Sequence, residues 1–232
     1  MKFPRFPLRS RYIRLVLGVP ALFFACTIYS WVTLPDVRTL KTARPERTAF
    51  MDLRASEARS AGRRLRETRQ WIAYSRISPN LKRAVLVAED AGFWGHDGVD
   101  YGELRASIEL SLQEGAEFRG ASTLTQQLAK NLYLSPSRNP HRKVVELMIT
   151  RRLEGELSKT RIFELYLNVV EWGDGIWGAD AAARAYFGQS AADLTPAQAA
   201  LMAGALINPR VYSPARPNAR LLRRQRIILG RM

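Results

Sequence analysis

The chain has 232 residues, with 36 Lys and Arg against 21 Asp and Glu, a formal charge of +15. A composition 47% hydrophobic and 25% charged excludes a mainly disordered chain, one Cys excludes an internal disulfide framework, and two His leave few metal-site options. So basic a chain calls for an anionic partner: nucleic acid, anionic lipid head groups or a phosphorylated substrate.

Residues 15–34, LVLGVPALFFACTIYSWVTL, carry no charge, and 20 residues suffice for a bilayer core of about 30 Å. Lys2, Arg5, Arg9, Arg11 and Arg14 precede them, which places the N-terminus in the cytoplasm. Leu34-Pro35-Asp36 follows, with no A-x-A-like cleavage site. An uncleaved transmembrane anchor is therefore expected ahead of a cleaved signal peptide or a buried core helix. Tyr29 and Trp31 fit an interfacial anchor, and Cys26 reads as a small apolar filler. The expected organisation is a basic N-terminus (1–14), the anchor (15–34), a juxtamembrane stalk leading into a solvated helix (35–70), and one folded domain (71–232).

Helix signals then follow one another. Ser78-Pro79 opens a helix whose Leu81, Ala84, Val85 and Ala88 share a face and which ends at Glu89. A second covers 103–113 and breaks at Gly115. Thr123 with Gln126 is a capping-box pattern ahead of Leu124, Leu128 and Leu132. Asn139-Pro140 starts the next, with Val144, Leu147 and Met148 inward. Ser158 caps one carrying Ile162, Phe163 and Tyr166. An Ala-rich helix runs over 178–187 and stops at Gly188. Thr195-Pro196 starts another that ends before Asn208-Pro209, and a basic helix begins near 218. Alternation at period two is nearly absent, so the class is all-α and mostly helical, with a short hairpin around the glycines of 173–178.

Three constellations stand out. Glu89 to Gly98 joins two acids, two aromatics and a His at a helix end. A carboxylate there is partly desolvated, which raises its pKa and suits it to acid or base work; the plainer alternative is a capping Asp with packed aromatics. Gly120 to Gln127 is a small, hydroxylated helix start, either an anion site of backbone N–H groups or simply a well-capped helix. Lys130, Arg138, Arg142 and Lys143 are cations close to that helix start, with Glu146 one turn beyond Arg142. They read as a diphosphate site or as a solvated face with an i,i+4 ion pair. Neither His has metal-ligand spacing; His96 reads as a hydrogen-bonded structural residue and His141 as a surface residue at a helix start.

Together these stretches resemble the glycosyltransferase domain of peptidoglycan polymerases, the family 51 glycosyltransferases. The family's E-D-x-x-F-x-x-H-x-G matches residues 89–98 at every fixed position, G-x-S-T-x-T-Q-Q matches 120–127, and R-K-x-x-E matches 142–146. K-x-x-I-L-x-x-Y-L-N matches 159–168 with Phe163 in place of Leu. R-x-x-x-V-L is approximated by Arg224 with Ile228-Leu229. The resemblance covers roughly residues 70–230, and the 171–176 stretch looks like the monofunctional branch without a transpeptidase domain.

The resemblance implies a lysozyme-like, two-lobed helical domain that elongates glycan from lipid II. It implies Glu89 as general base and Glu146 as the second acid, positioning the diphosphate side. Ser122, Thr123, Gln126, Gln127, Lys130, Arg138, Arg142, Lys143 and Asn168 would bind the lipid-linked substrate, with Ser122 and nearby N–H groups orienting the diphosphate. No cofactor is firmly implied, and a divalent cation (Mg or Mn) near the diphosphate is left open. Implied partners are lipid II, the lipid-linked glycan chain, the bilayer and other cell-wall synthesis or division proteins, but no nucleic acid. The implied location is the inner membrane, with the catalytic domain on the periplasmic side. The rivals are a peptidoglycan-cleaving enzyme of the same broad fold, a membrane-anchored nucleic-acid binder and an inactive scaffold.

Overall fold

The computed structural model describes residues 20, 21, 23–64, 66–114, 122–136 and 139–232. The basic N-terminus, the first part of the expected anchor, Gly115, Gly120, Ala121 and Arg138 lie outside them. Residues 23–32 are helical, and Phe24, Tyr29, Trp31 and Val32 are exposed on them. Among the described residues no helix is long and apolar enough to cross a membrane.

Nine α-helices follow this segment among the described residues: α1 Ala49–Ser60, α2 Pro79–Glu89, α3 Tyr101–Glu114, α4 Leu124–Tyr133, α5 Pro140–Glu156, α6 Lys159–Val169, α7 Ala179–Phe187, α8 Pro196–Ala205 and α9 Ala219–Arg231. Most begin where a side chain takes up an otherwise unpaired N–H. Ser78, Thr123, Asn139, Ser158, Thr195 and Asn218 each accept from the first turn of the helix they precede. Gly188 ends α7 in the left-handed conformation, at φ 70.

The core forms where these helices bury their apolar faces. Leu81, Ala84 and Val85 of α2, Leu124 and Leu128 of α4, and Ile162, Phe163 and Leu165 of α6 have no measurable exposure. Burying a side chain of that size contributes roughly 1.5–3 kcal/mol. α8 and α9 pack against α2, and α5 and α6 against α4. Phe163, the departure from the family pattern, lies 5.6 Å from the Phe93 ring and 6.3 Å from that of Trp94. The larger ring fills an aromatic cluster rather than straining it.

Two findings differ from the sequence reading. The hairpin is present, β2 Glu171–Gly173 against β3 Ile176–Trp177, but it belongs to a three-stranded sheet. β1 Thr68–Arg69 joins β3 in parallel, a pairing across more than a hundred residues that no local pattern announces. Gly175 permits it: at φ +73, an added Cβ there would lie 2.1 Å from the Arg66 carbonyl oxygen. Residues 35–70 are also no detached stalk. Val37, Leu40, Met51 and Ala58 are buried, α1 packs on α4, and Arg54 Nε meets Glu171 Oε2 at 2.9 Å. By contrast no described side chain of α3 is buried, and Tyr101, Ile108, Leu110 and Leu112 are exposed along it.

Candidate active site

The site is built on the C-terminal end of α2, the N-terminal half of α4 and the start of α5. Glu89 is the last residue of α2, where the partial negative charge of the helix end opposes a carboxylate. It borders a cavity of about 300 Å³ that it shares with Asp90, Asp100, Glu103, Ser122 and Arg231. Burial pushes its carboxyl up from the ordinary value of 4.5; the Gln127 amide and the charges of Arg224 and Lys130 pull the other way, and Asp90 adds to the rise. Gln127 Nε2 donates to Glu89 Oε2 at 3.0 Å. The described residues thus give the Glu89 carboxylate one hydrogen bond and no ion pair, which leaves it able to accept a proton.

Its neighbour has the opposite fate. Asp90 Oδ2 accepts the Leu124 N–H at 2.8 Å, and Oδ1 pairs with His96 Nε2 at 3.0 Å. His96 Nδ1 accepts from the Gly98 N–H at 3.2 Å, an arrangement that suits the tautomer with its proton on Nε2, facing Asp90. Thr123 Oγ1 donates to the Gly98 carbonyl at 2.7 Å. A closed ring of contacts therefore locks the first two motifs together. Gly98 is required there: it has φ +83, and an added Cβ would lie 2.6 Å from Thr150 Cγ2. The two sequence readings of this stretch divide between adjacent residues, with Asp90 as the capping acid and Glu89 as the candidate for chemistry.

At the helix start of α4, three backbone N–H groups are already paired within the protein. Besides Leu124 N–H, held by Asp90, the Gln126 N–H goes to Thr123 Oγ1 and the Thr123 N–H to Gln126 Oε1. Thr123 and Gln126 spend their side chains on this capping box, and Ser122 contributes its carbonyl to Gln127 at 3.3 Å. The capping network therefore engages the Thr123, Leu124 and Gln126 N–H groups, three of those near the expected diphosphate position. The positive charge comes from side chains.

Lys130 lies two turns into α4. Burial lowers its pKa from 10.5; Glu146 and Glu89 act to raise it, and Arg142 and Lys143 to lower it further. It therefore stands electrostatically between the two acids. Phe50 of α1 lies beneath its ammonium, 5.8 Å from ring centroid to Nζ. Glu146 is buried, pairing with Arg142 Nη1 at 2.8 Å through Oε2 and with Lys143 Nζ through Oε1. The i,i+4 pair expected as the plain role of these residues is present, with Lys143 added at i,i+3.

Asn168 is not brought to this cleft. Its Oδ1 accepts from the Ile72 N–H at 2.8 Å, and its Nδ2 donates to the carbonyls of Ile72 (2.9 Å) and Glu164 (2.8 Å). It clamps Ile72 to α6, a structural role for a residue that the resemblance placed in the binding set. Sequence reasoning took Tyr166 as a core residue only. It is fully buried, yet its hydroxyl donates to Gln127 Oε1 at 3.1 Å. Its one advance signal was a polar tip on an otherwise apolar helix face. His141, expected at the surface, meets Ser30 Oγ at 3.2 Å and the edge of Phe23.

Asp90, His96 and Asp100 form the one group of three metal-capable side chains among the described residues. They do not fit a resident cation, because His96 and Asp90 are committed to each other and to the backbone, and Asp100 Oδ1 accepts from the Glu103 N–H at 2.8 Å. At Glu146 both oxygens are taken by Arg142 and Lys143, so no ligand set for a divalent cation stands there among the described residues.

Residues 57–232 match the family model described as Transglycosylase. A biosynthetic peptidoglycan transglycosylase of Dechloromonas aromatica (strain RCB) is 44% identical over 226 residues, 96% of each chain. One from Janthinobacterium sp. (strain Marseille) is 48% identical over 188 residues, 81% of each. One from Azoarcus sp. (strain BH72) is 50% identical over 174 residues, 74% of each.

Proposed function

The chain belongs to the transglycosylase family and is a peptidoglycan glycosyltransferase, and on that premise we propose that its cleft elongates glycan on lipid II with inversion. The donor is the growing chain, held through its reducing end to undecaprenyl diphosphate. The GlcNAc 4-hydroxyl of lipid II attacks C1 of the donor MurNAc. As the new C1–O bond forms, Glu89 takes the hydroxyl proton and the bond from C1 to the diphosphate breaks, its electron pair leaving with undecaprenyl diphosphate. Positioned proton transfer of this kind contributes about 10²–10⁴-fold.

The observation that carries this reading is the pairing of one unneutralised, high-pKa carboxylate with a cationic wall on the same helix bundle. The leaving group is already anionic and gains charge as the bond breaks. Lys130, Arg142 and Lys143, with Arg138 beyond the described residues, stabilise that charge and need no proton donor. Glu146 holds Arg142 and Lys143 in place. These cations take the part a Mg or Mn ion would otherwise play beside the diphosphate.

We place the enzyme at the cytoplasmic membrane, anchored by residues 15–34 with its N-terminus in the cytoplasm and its domain on the periplasmic side. Trp94, Tyr101, Ile108 and Leu112 are exposed beside the cleft and on α3, and we assign them to the bilayer surface from which lipid II is drawn.

The test is lipid II polymerisation by the full-length protein in membranes, beside Glu89→Gln. Long glycan from the wild type and none from Glu89→Gln is the expected result. Cleavage of finished peptidoglycan without polymerisation would sink the proposal. Polymerisation by both proteins would keep the reaction and remove Glu89 as the base.

A further inference from the structure

We propose that Tyr166 is a positioning residue for the base: by donating to Gln127 Oε1, its hydroxyl turns the amide so that the NH₂ group faces Glu89. The inference rests on the reading of Glu89 as the general base.

An amide side chain has two ends of nearly equal shape and opposite hydrogen-bond character, so its partners decide which way it points. Gln127 Nε2 faces two acceptors, Glu89 Oε2 at 3.0 Å and the Ser122 carbonyl at 3.3 Å. Its Oε1 faces the Tyr166 hydroxyl at 3.1 Å. In the opposite orientation, the amide oxygen would oppose a carboxylate and a carbonyl. That arrangement suits a protonated Glu89, which could donate to it, and so disables the base. The phenol can accept as well as donate, but against a flipped amide its buried proton would meet no acceptor among the described residues, so the observed orientation is the one the phenol favours. It is fully buried, and Glu89 and Asp90 nearby make loss of its own proton harder still, so it remains a donor. The chain of donors thus runs from Tyr166 through Gln127 to Glu89, each link favouring the carboxylate over the acid.

The other charges around Glu89 cannot select the amide orientation. Asp90 opposes ionisation from the next residue in the chain, while Lys130 of α4 and Arg224 of α9 favour it. Asp100, Glu103 and Arg231 line the same cavity. None of these contacts Gln127 Oε1 among the described residues.

The experiment titrates Glu89 directly, by carbon NMR of the full chain with labelled glutamate carboxyls. Glu89→Gln identifies the signal, and the pH profile of polymerisation is measured alongside. Tyr166→Phe keeps the buried ring and removes only the hydroxyl. The expected result is an upward move of Glu89's titration by about half to one pH unit. The acid limb of kcat should move with it, activity should recover at higher pH, and KM should be little changed. In a Gln127→Leu background, Tyr166→Phe should add no further shift, because the link is already cut. An unmoved titration in Tyr166→Phe overturns the inference, as does an equal shift in both backgrounds. Failure of the base assignment looks different: Glu89→Gln would then polymerise lipid II whatever the titration shows.

Discussion

The two glutamates of the cleft show how one side chain serves two ends. Glu89 sits at the unfavourable end of α2 with one amide hydrogen bond and a raised pKa. Glu146 lies two turns into α5 with a cation on each oxygen. The first carboxylate is kept short of partners and destabilises the ionised fold; the second is saturated and organises Arg142 and Lys143. A group meant to take up a proton must not be fully satisfied in its charged form.

Glutamine at each position gives the sharpest contrast. Glu89→Gln should lower polymerisation by about 10²–10⁴-fold and still raise the melting temperature at neutral pH. The sign follows from the raised folded-state pKa: the native chain holds this proton more tightly than the unfolded one, so stability falls as pH climbs through the folded value. Above that value the charge cost is complete and Gln removes it. Below the ordinary carboxylate range the advantage should vanish. Glu146→Gln should instead lose stability by about 1–3 kcal/mol, moderated because Lys143 is half-exposed. Calorimetry on both variants decides the matter, and a fall in melting temperature for both would erase the distinction.

Asn168 extends the comparison to a residue that shares a motif with the site but not its chemistry. Asn168→Ala strips three hydrogen bonds and leaves the buried Ile72 N–H and carbonyl without their partner. The expected cost is about 2–3 kcal/mol with KM for lipid II unchanged. A rise in KM without a stability loss would return Asn168 to the binding set.

Arg224 separates the two kinds of residue by pH. It donates to the Gly204 carbonyl at 3.1 Å, and its charge helps to keep Glu89 ionised. Arg224→Gln should move the acid limb of kcat/KM upward by a few tenths of a pH unit to about one unit, because removing a positive charge makes Glu89 easier to protonate. A downward move would break this account of the site's electrostatics.

These tests also mark what the sequence could and could not disclose. Helix starts were legible because caps are local: Ser78, Thr123, Asn139, Ser158 and Thr195 each act within three residues. Glu89 was legible for the same reason, as an acid where an apolar stripe ends. The parallel partner of β1, the closing of Phe50 over Lys130 and the hydroxyl of Tyr166 on Gln127 were not, since each joins residues far apart in the chain. The solvated reading of 35–70 failed because its many arginines hid four buried side chains, Val37, Leu40, Met51 and Ala58. The structural clamp made by Asn168 was not legible either, because a motif records that a residue is needed, not whether it touches substrate.

The smallest expected effect concerns two capping boxes that look alike in the sequence. Thr123 with Gln126 begins α4, and Thr195 with Gln198 begins α8, each with both reciprocal bonds formed. Thr195→Ala should cost about 1 kcal/mol and leave kcat and KM as they are, because Thr195 is exposed and its hydroxyl bonds only Gln198 among the described residues. Thr123→Ala should cost more and lower kcat as well. Its hydroxyl also donates to the Gly98 carbonyl, inside the ring of contacts that sets Asp90 and hence the end of α2 from which Glu89 projects. Measuring unfolding and polymerisation on both variants isolates that additional link. Equal losses of stability with unchanged rates would mean that the ring does not position the base.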